Sequence, residues 1–369
     1  MGNNVRVVHF QSVYPYVFYL AAIMFRRYIT ARTGAVVYTK RDRCISKYEM
    51  DGVSVIRIPI FKWIPHGRFT KRTLSNSIRE IITDNKQNGF IPDVIVGHFP
   101  NPQIEIVGRL RSFYPQSKTA IVMHGDNNQV KSIYGDKASG LMKKIDVWGF
   151  RSKATQRNFE QLNGSVGNGF ICYSGIPENY ITNNNMHHFT ESVSKFIYVG
   201  EMIDRKYPEV VIQALSKVFP KKDFHMTYVG DGHKIKELRT ISKVLDIEPQ
   251  VSILGRISRE NIKQCYDDAE CMIMISKGEA YGLVYLEAMS RGCITVASRN
   301  EGFDGVISDG VNGFLCKSGD ESELIALIER IRSLSSTELR SISQNAIDTA
   351  KRLTDAKAAE QYLNDMLTL

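Results

Sequence analysis

Two α/β domains of the doubly wound kind, laid in tandem, are what this sequence predicts, and three observations carry the expectation. The first is length: 369 residues exceed the ~250–300 at which one hydrophobic core stops growing, so two cores are expected. The second is pattern. Short β-branched runs, apolar almost throughout, alternate with longer helical periodicities, as in a parallel sheet covered on both faces. The third is that this alternation occurs twice. Between Pro177 and Ser194 it dissolves into the polar run Asn179-Tyr-Ile-Thr-Asn-Asn-Asn-Met-His-His188, which reads as an interdomain linker.

In the first series, strands are expected at Val5–Phe10, Ala35–Thr39, Val53–Ile58, Asp93–Gly97, Thr119–Met123, Val147–Phe150 and Gly169–Tyr173. The helices between them are Thr70–Asp84, Pro102–Arg111 and Lys153–Leu162. In the second, strands are expected at Phe196–Val199, His225–Val229, Val251–Leu254, Cys271–Ile275 and Ile294–Ala297. Its helices are Pro208–Val218, Lys234–Leu245, Arg259–Asp268, Gly282–Arg291, Ser322–Leu334 and Glu338–Arg352. A last helix, Asp355–Leu369, is expected to cross back to the first domain. The implied organisation is a domain over 1–180, a linker over 181–194, a domain over 195–352 and the closing helix over 353–369. Doubly wound domains carry their binding loops at the C-terminal ends of the strands, so two in tandem are expected to face each other across a cleft.

Hydrophobic residues make up 43% of the chain and charged residues 24%, ordinary values for a globular protein. No run reaches the ~18 apolar residues of a membrane-spanning helix. The longest apolar stretch, Tyr14–Phe25, ends at Arg26-Arg27. It starts too near the first residue for a secretory leader and lacks a small-residue cleavage site, so a mostly buried helix is expected there. The six cysteines, Cys44, Cys172, Cys265, Cys271, Cys293 and Cys316, form no CxxC pair. They read as free, buried thiols of a cytoplasmic protein. Charge is asymmetric: residues 1–190 carry 25 Lys and Arg against 12 Asp and Glu, and residues 191–369 carry 23 against 27. A basic first half suits nucleic acid, an anionic membrane face or a phosphorylated acceptor, and equally a well-solvated surface. No nucleic-acid-binding motif accompanies it. The segment Phe61-Lys-Trp-Ile-Pro-His-Gly-Arg-Phe-Thr-Lys-Arg72 mixes aromatics with cations. It suits peripheral contact with the inner membrane face or a partly buried loop.

The segment richest in chemistry is Ser276-Lys-Gly-Glu279-Ala-Tyr-Gly282-Leu-Val-Tyr-Leu-Glu287-Ala-Met-Ser-Arg-Gly292. A buried strand ends, a short loop follows, and a helix opens near Gly282. Backbone N–H groups at such a helix start favour an anion such as a diphosphate. The two carboxylates are eight residues apart, ~12 Å along a helix, so they can reach different parts of one extended ligand. Each can accept hydrogen bonds from a diol.

This segment resembles the donor-site pattern of the family 4 retaining glycosyltransferases, which have the GT-B fold. Phe196-Ile-Tyr-Val-Gly200 with Lys206, Tyr228-Val-Gly-Asp-Gly232, Val251-Ser-Ile-Leu-Gly255-Arg-Ile and Asp309-Gly-Val-Asn-Gly-Phe-Leu315 follow in the family's order. The resemblance continues more weakly through Asp93-Val-Ile-Val-Gly-His98, Met123-His-Gly125 and Ser174-Gly-Ile-Pro177. It implies transfer of a sugar from a nucleotide-sugar to a glycan or lipid-linked acceptor, with retention and without a metal or other cofactor. It further implies that Glu279 contacts the transferred sugar and that Glu287 holds the ribose hydroxyls. The backbone of Gly282, Leu283 and Val284 and the side chain of Lys206 would bind the diphosphate, near Gly200. Gly255, Arg256 and Ile257 would lie against the base, and His124 would line the cleft.

Three departures stand out. The family's Gly-Gly loop after the first strand is replaced by Gln11-Ser-Val-Tyr-Pro15-Tyr. An arginine common after the glycine matched by Gly200 is Glu201 here, with Arg205 available to supply the charge. The later Gly-Gly-x-x-Glu reads Glu301-Gly302-Phe-Asp-Gly305. They leave open two alternatives: a GT-B nucleotide-sugar epimerase, and a nucleotide-sugar-binding protein weakened in catalysis. Elsewhere the plainer reading is expected. His98 is structural, Gly230-Asp-Gly232 is a strand-to-helix turn, and Asp267-Asp268 is a solvated helix face rather than a metal pair.

Overall fold

The computed structural model describes residues 3–17, 20, 24–25, 43–63, 69–125, 129–181, 189 and 192–369. The expected strand Ala35–Thr39 and most of the expected linker, 182–188 and 190–191, lie outside the described residues. Contacts divide the chain into one unit of Met1–Ile121 with Gln129–Asp146 and a second of Val122–Asn128 with Val147–Leu369.

The first unit opens with β1 (Arg6–Val13), β2 (Ser46–Met50) and β3 (Val53–Phe61), in the order β1-β3-β2. β1 and β3 are parallel, but β2 is antiparallel to β3, a departure from the all-parallel expectation. The turn joining them is Asp51-Gly52, with φ of 52° and 77°. That dipeptide is a hairpin signal, overlooked because Ser-Lys-Tyr-Glu-Met is too polar to read as a buried strand. β1 also runs on through Gln11, Ser12 and Val13, each paired with β3. The first half of what reads as a loop replacing a glycine pair, Gln11–Val13, is therefore still strand. In Tyr14–Phe25 the described residues Tyr16, Val17, Leu20, Met24 and Phe25 are exposed, against the expectation of a mostly buried helix.

Helix α1 (Lys71–Gln87) starts at Thr70, whose side chain accepts from the Thr73 N–H, a cap that satisfies an otherwise orphaned donor. Its apolar face, Leu74, Ile78 and Ile81, packs with Ile56 and Ile58 of β3 and with Ile106 and Leu110 of α2 (Gln103–Leu110). Near its end the buried Asp84 is paired with Arg6 and, at 2.6 Å, with Lys47. A second sheet orders β4 (Val94–His98), β5 (Lys118–Met123), β6 (Val147–Phe150) and β7 (Gly169–Ile171) as β4-β5-β6-β7. Between β5 and β6 lie short helices α3 (Gln129–Tyr134) and α4 (Ala138–Met142), and α5 (Lys153–Asn163) joins β6 to β7.

The large sheet of the second unit comprises β8 (Lys195–Val199), β9 (His225–Val229), β10 (Val251–Gly255), β11 (Cys271–Ile273), β12 (Ile294–Ser298) and β13 (Phe314–Cys316). Their order is β10-β9-β8-β11-β12-β13, and every pairing is parallel. β13 is too short for its periodicity to register in the sequence. The order reverses between β8 and β11, and ligands of such sheets bind beyond the strand ends at that point. Helices α6 (Pro208–Val218), α7 (Ile235–Val244), α8 (Arg259–Asp268), α9 (Leu283–Ser290), α10 (Glu321–Ser333) and α11 (Ser336–Arg352) connect and cover it. One core, running from Ile176 to Ala350, unites Phe196, Tyr198, Tyr228, Met272, Ile273, Leu286 and Ile328.

The last helix, α12 (Asp355–Thr368), follows a backbone clasp. Ile176 N–H donates to Leu353 and Asp355 N–H donates back to Ile176, at 3.1 and 2.9 Å. The Tyr362 ring of α12 lies 5.9 Å from that of Phe170 in β7. Cys172, Cys271, Cys293 and Cys316 are free and buried, whereas Cys44 is free and exposed, contrary to the expectation of burial. Among the described residues no helix is long and apolar enough to cross a membrane.

Candidate functional site

The loops that follow β8 and β11 supply the candidate groups. After β8 the chain bends at Gly200 and makes a short 3-10 turn, Asp204–Lys206. A Cβ at Gly200 would lie 3.4 Å from the Lys206 ammonium, so the glycine leaves room for that side chain. β9 approaches just as closely: a Cβ at Gly230 would lie 2.0 Å from the Gly200 carbonyl oxygen, and one at Gly232 2.3 Å from that of Met202. With φ of 136° and 153°, both are glycines of close backbone approach.

After β11 the loop 276–282 reaches over the same strand end. Lys206 Nζ is 3.4 Å from Glu279 Oε2, with both side chains largely buried, and 3.9 Å from Met274 Sδ. Ser276 Oγ donates to Glu279 Oε2 at 3.4 Å, and the Tyr285 hydroxyl, which is 3.2 Å from Ser276 Oγ, donates to the Met274 carbonyl at 2.8 Å. Arg205 is exposed and its guanidinium donates to the Lys277 carbonyl at 3.4 Å, while Lys277 N–H donates to the Arg205 carbonyl at 2.7 Å. The two loops are thus stitched together backbone to backbone.

Helix α9 begins immediately after this loop. Its cap is Gly282 at φ 90°, with no side chain bonded to the first turn and no acidic residue there. The N–H groups of Leu283 and Val284 therefore point outward into a region of positive potential. Gly282 is required: a Cβ there would lie 2.4 Å from the Tyr285 ring and 3.3 Å from Glu279 Cγ. One turn into the helix Glu287 is buried. The Tyr266 hydroxyl donates to its Oε2 at 3.4 Å, and Arg259 Nη2 stands 3.7 Å from Oε1. Burial pushes the Glu287 carboxyl above its ordinary range, opposed by Arg259 and the Tyr266 hydroxyl. A carboxylate with only long contacts retains unused acceptor capacity for hydroxyl donors.

The remaining candidates sit around this centre. Gly255 closes β10 at φ 68° and its carbonyl accepts from the Gly230 N–H at 2.9 Å. Arg256, exposed, is 3.9 Å from Asp231, and Ile257 packs partly buried against the core. Gly125, beside His124, lies against the loop: a Cβ on it would be 2.8 Å from Cβ of Ala280. Thr155 of α5 donates to the Ala280 carbonyl at 3.4 Å. His98 ends β4 and is exposed. Asp267 is not a solvated residue: Arg291 clamps both its oxygens, at 2.6 and 2.7 Å, with both side chains largely buried. Its partner is 24 residues away, beyond what helix periodicity reveals. Sequence reasoning also passed over Ser276, Tyr266 and Arg259, whose relation to the two glutamates exists only in three dimensions.

Residues 182–349 match the family model of the glycosyl transferases group 1, over the stretch where the motifs are densest. Across 175 residues, 47% of this chain and 45% of the relative, the sequence is 29% identical to N-acetyl-alpha-D-glucosaminyl L-malate synthase of Bacillus anthracis. Across 270 residues, 71% of each, it is 22% identical to an uncharacterized glycosyltransferase of Methanocaldococcus jannaschii. The alignment thus spans less than half the length of the first of these relatives. Among solved structures, Anabaena HepE in complex with UDP is similar at a TM-score of 0.68 and 18% identity, covering 99% of this chain and 100% of that one. The apo lipopolysaccharide outer core galactosyltransferase WaaB is similar at 0.67 and 15%, covering 99% of each. The fold is GT-B, with two Rossmann-like domains, and the resemblance to the glycosyl transferases group 1 lies within the second unit.

Proposed function

We propose that this chain transfers a hexose from a nucleotide-sugar to a glycan or lipid-linked acceptor, with retention at the anomeric carbon and without a metal. One observation carries the proposal: an uncapped helix start separates two carboxylates along the chain, Glu279, which precedes the helix and pairs with Lys206, and Glu287, which is buried within it. A nucleoside diphosphate sugar is an anion flanked by two diols, and this order of groups complements it. Relatives support the same class: the HepE structure is a complex with UDP, and the Bacillus relative is named an N-acetyl-alpha-D-glucosaminyl L-malate synthase.

In this reading, Lys206, Arg205 and the N–H groups of Leu283 and Val284 meet the diphosphate's charge. They stabilise it most as the bond to the anomeric carbon breaks and a further negative charge develops. Glu287 accepts hydrogen bonds from the ribose hydroxyls, and the backbone of Gly255–Ile257 borders the base. Glu279 accepts from a hydroxyl of the transferred sugar and counters the positive charge that grows on its ring. The acceptor oxygen forms its bond on the face the diphosphate leaves, and its proton passes to the departing phosphate oxygen. Rate enhancement then comes from positioning and preset charge rather than from a protein nucleophile.

The test is a panel of nucleotide-sugars scored for protection against thermal unfolding, followed by incubation of the protective donor with and without glycan acceptors. Release of nucleoside diphosphate with a retained glycosidic product, undiminished by EDTA, supports the proposal. Conversion of the donor into another nucleotide-sugar without acceptor refutes it in favour of epimerisation, and protection without turnover leaves a binding protein.

A further inference from the structure

We infer that Glu301 is a positioning residue for Glu279, an inference that rests on the transferase reading above. Glu301 Oε2 accepts a hydrogen bond from the Glu279 backbone N–H at 2.9 Å. The carboxylate makes that bond charge-assisted, and hence shorter and stronger than one between neutral groups.

The turn that presents Glu301 is firmly built. It follows β12, where Arg299 N–H donates to the Cys316 carbonyl of β13 at 2.8 Å. Asp304 closes it twice, donating its N–H to the Glu301 carbonyl at 3.0 Å and accepting from the Asn300 N–H on its carboxylate. Gly302 seats the turn against the Glu279 loop with no space between them. A Cβ at that position would lie 2.4 Å from Tyr281 N, 2.5 Å from the Ala280 carbonyl carbon and 2.6 Å from the Glu279 oxygen. The Phe303 ring completes the platform, 5.4 Å from that of Tyr281 and 5.1 Å from that of Tyr285.

Glu279 needs such a hold on its peptide. The preceding Gly278 is in the left-handed region at φ 69°, and a Cβ there would touch nothing, so no neighbour packs against that side of the residue. Lys206 and Ser276 contact the Glu279 carboxylate, but both lie on the other side of three rotatable side-chain bonds. Glu301 fixes the backbone from which those bonds start. Rotation of the peptide would carry the carboxylate away from the sugar while leaving the start of α9, and so diphosphate binding, intact.

The experiment compares wild type, Glu301→Gln and Glu301→Ala. Gln keeps an oxygen acceptor without the charge, and Ala removes both. For each, kcat and KM are measured on the donor that wild type turns over, UDP and GDP affinity by calorimetry, and amide hydrogen exchange by mass spectrometry in peptides covering Glu279. The expected result is a ~10–100-fold lower kcat for Glu301→Ala, as for a reacting group displaced by about 1 Å. Nucleoside diphosphate affinity stays at the wild-type value, exchange at Glu279 accelerates, and Glu301→Gln restores most of the rate and the slow exchange. An Ala variant with wild-type kcat, a loss that Gln does not restore, or unchanged exchange at Glu279 overturns the inference. Wild type inert toward every nucleotide-sugar would instead remove the transferase reading. Exchange at Glu279 would then still decide whether Glu301 holds that peptide.

Discussion

Removing the Glu287 carboxylate separates its contribution to the fold from its contribution to binding. The side chain is 10% exposed, and its partners are distant: Arg259 at 3.7 Å and the Tyr266 hydroxyl at 3.4 Å. Truncation strands no buried group. Arg259 is 68% exposed, and the Tyr266 hydroxyl keeps the Val284 carbonyl at 3.2 Å. The heavy penalty of orphaning a buried charge is therefore absent, and Glu287→Ala should lower unfolding free energy by less than ~1 kcal/mol. Binding should respond far more. On the proposed role, losing charge-assisted hydrogen bonds to two ribose hydroxyls should weaken nucleoside diphosphate affinity by ~1–3 kcal/mol, about 5- to 150-fold in Kd. The pH dependence has a definite sign. Burial raises the folded-state pKa above the ordinary value of 4.5, so the folded protein holds that proton more tightly than the unfolded chain. The associated stability is present below pH 4.5 and is lost as pH rises through the folded value. Glu287→Gln lacks this loss, so it should gain on wild type above pH 4.5 and not below. Calorimetry with UDP and GDP, with urea unfolding at pH 4 and 7, measures both. An Ala variant that binds as wild type does, or unfolds by more than ~3 kcal/mol more easily, refutes the reasoning.

Glu279→Gln should lower kcat by at least ~10²-fold in single-turnover kinetics with nucleotide affinity near wild type, a barrier change of ~2.7 kcal/mol; loss of nucleotide binding would instead exchange the roles of the two glutamates. Gly230→Ala, which sets a Cβ 2.0 Å from the Gly200 carbonyl, should destabilise the second unit by more than ~3 kcal/mol, and a melting temperature equal to wild type would show that β8 and β9 can part there. Arg68, Lys71 and Arg72 replaced together by Ser should weaken binding to anionic vesicles. The same stretch of sequence carries Trp63, 65% exposed and edge-on to Phe61 at 5.1 Å; equal binding at low salt by wild type and variant would rule out a membrane contact.

Much of this was legible in sequence because the central strands of the large sheet are buried on both faces. Its strands Phe196–Val199, His225–Val229 and Ile294–Ala297 are apolar at most positions, and β8, β9 and β12 match them to within a residue. Glu287 stands out for the same reason, as a lone carboxylate among Tyr, Leu, Ala and Met. The failures have two causes, partners distant along the chain and polar surroundings. Ser46–Met50 is a strand through its pairing with β3, which its own residues do not announce. Asp267 depends on Arg291 and Glu279 on Glu301. In the latter, the second partner is a backbone amide, a group that no pattern of side chains can reveal.

The ion pair of Lys206 and Glu279 makes the resting site electrically self-contained. In the proposed function an incoming diphosphate would share the Lys206 ammonium with the carboxylate 3.4 Å from it rather than displace that carboxylate. The diphosphate would divide its charge between Lys206 and the start of α9. The Glu279 carboxylate would then stand next to the sugar that the diphosphate carries. The chain would thereby distinguish activated sugars from free ones before any hydroxyl is recognised, because only the activated ones bring charge to both the lysine and the helix start.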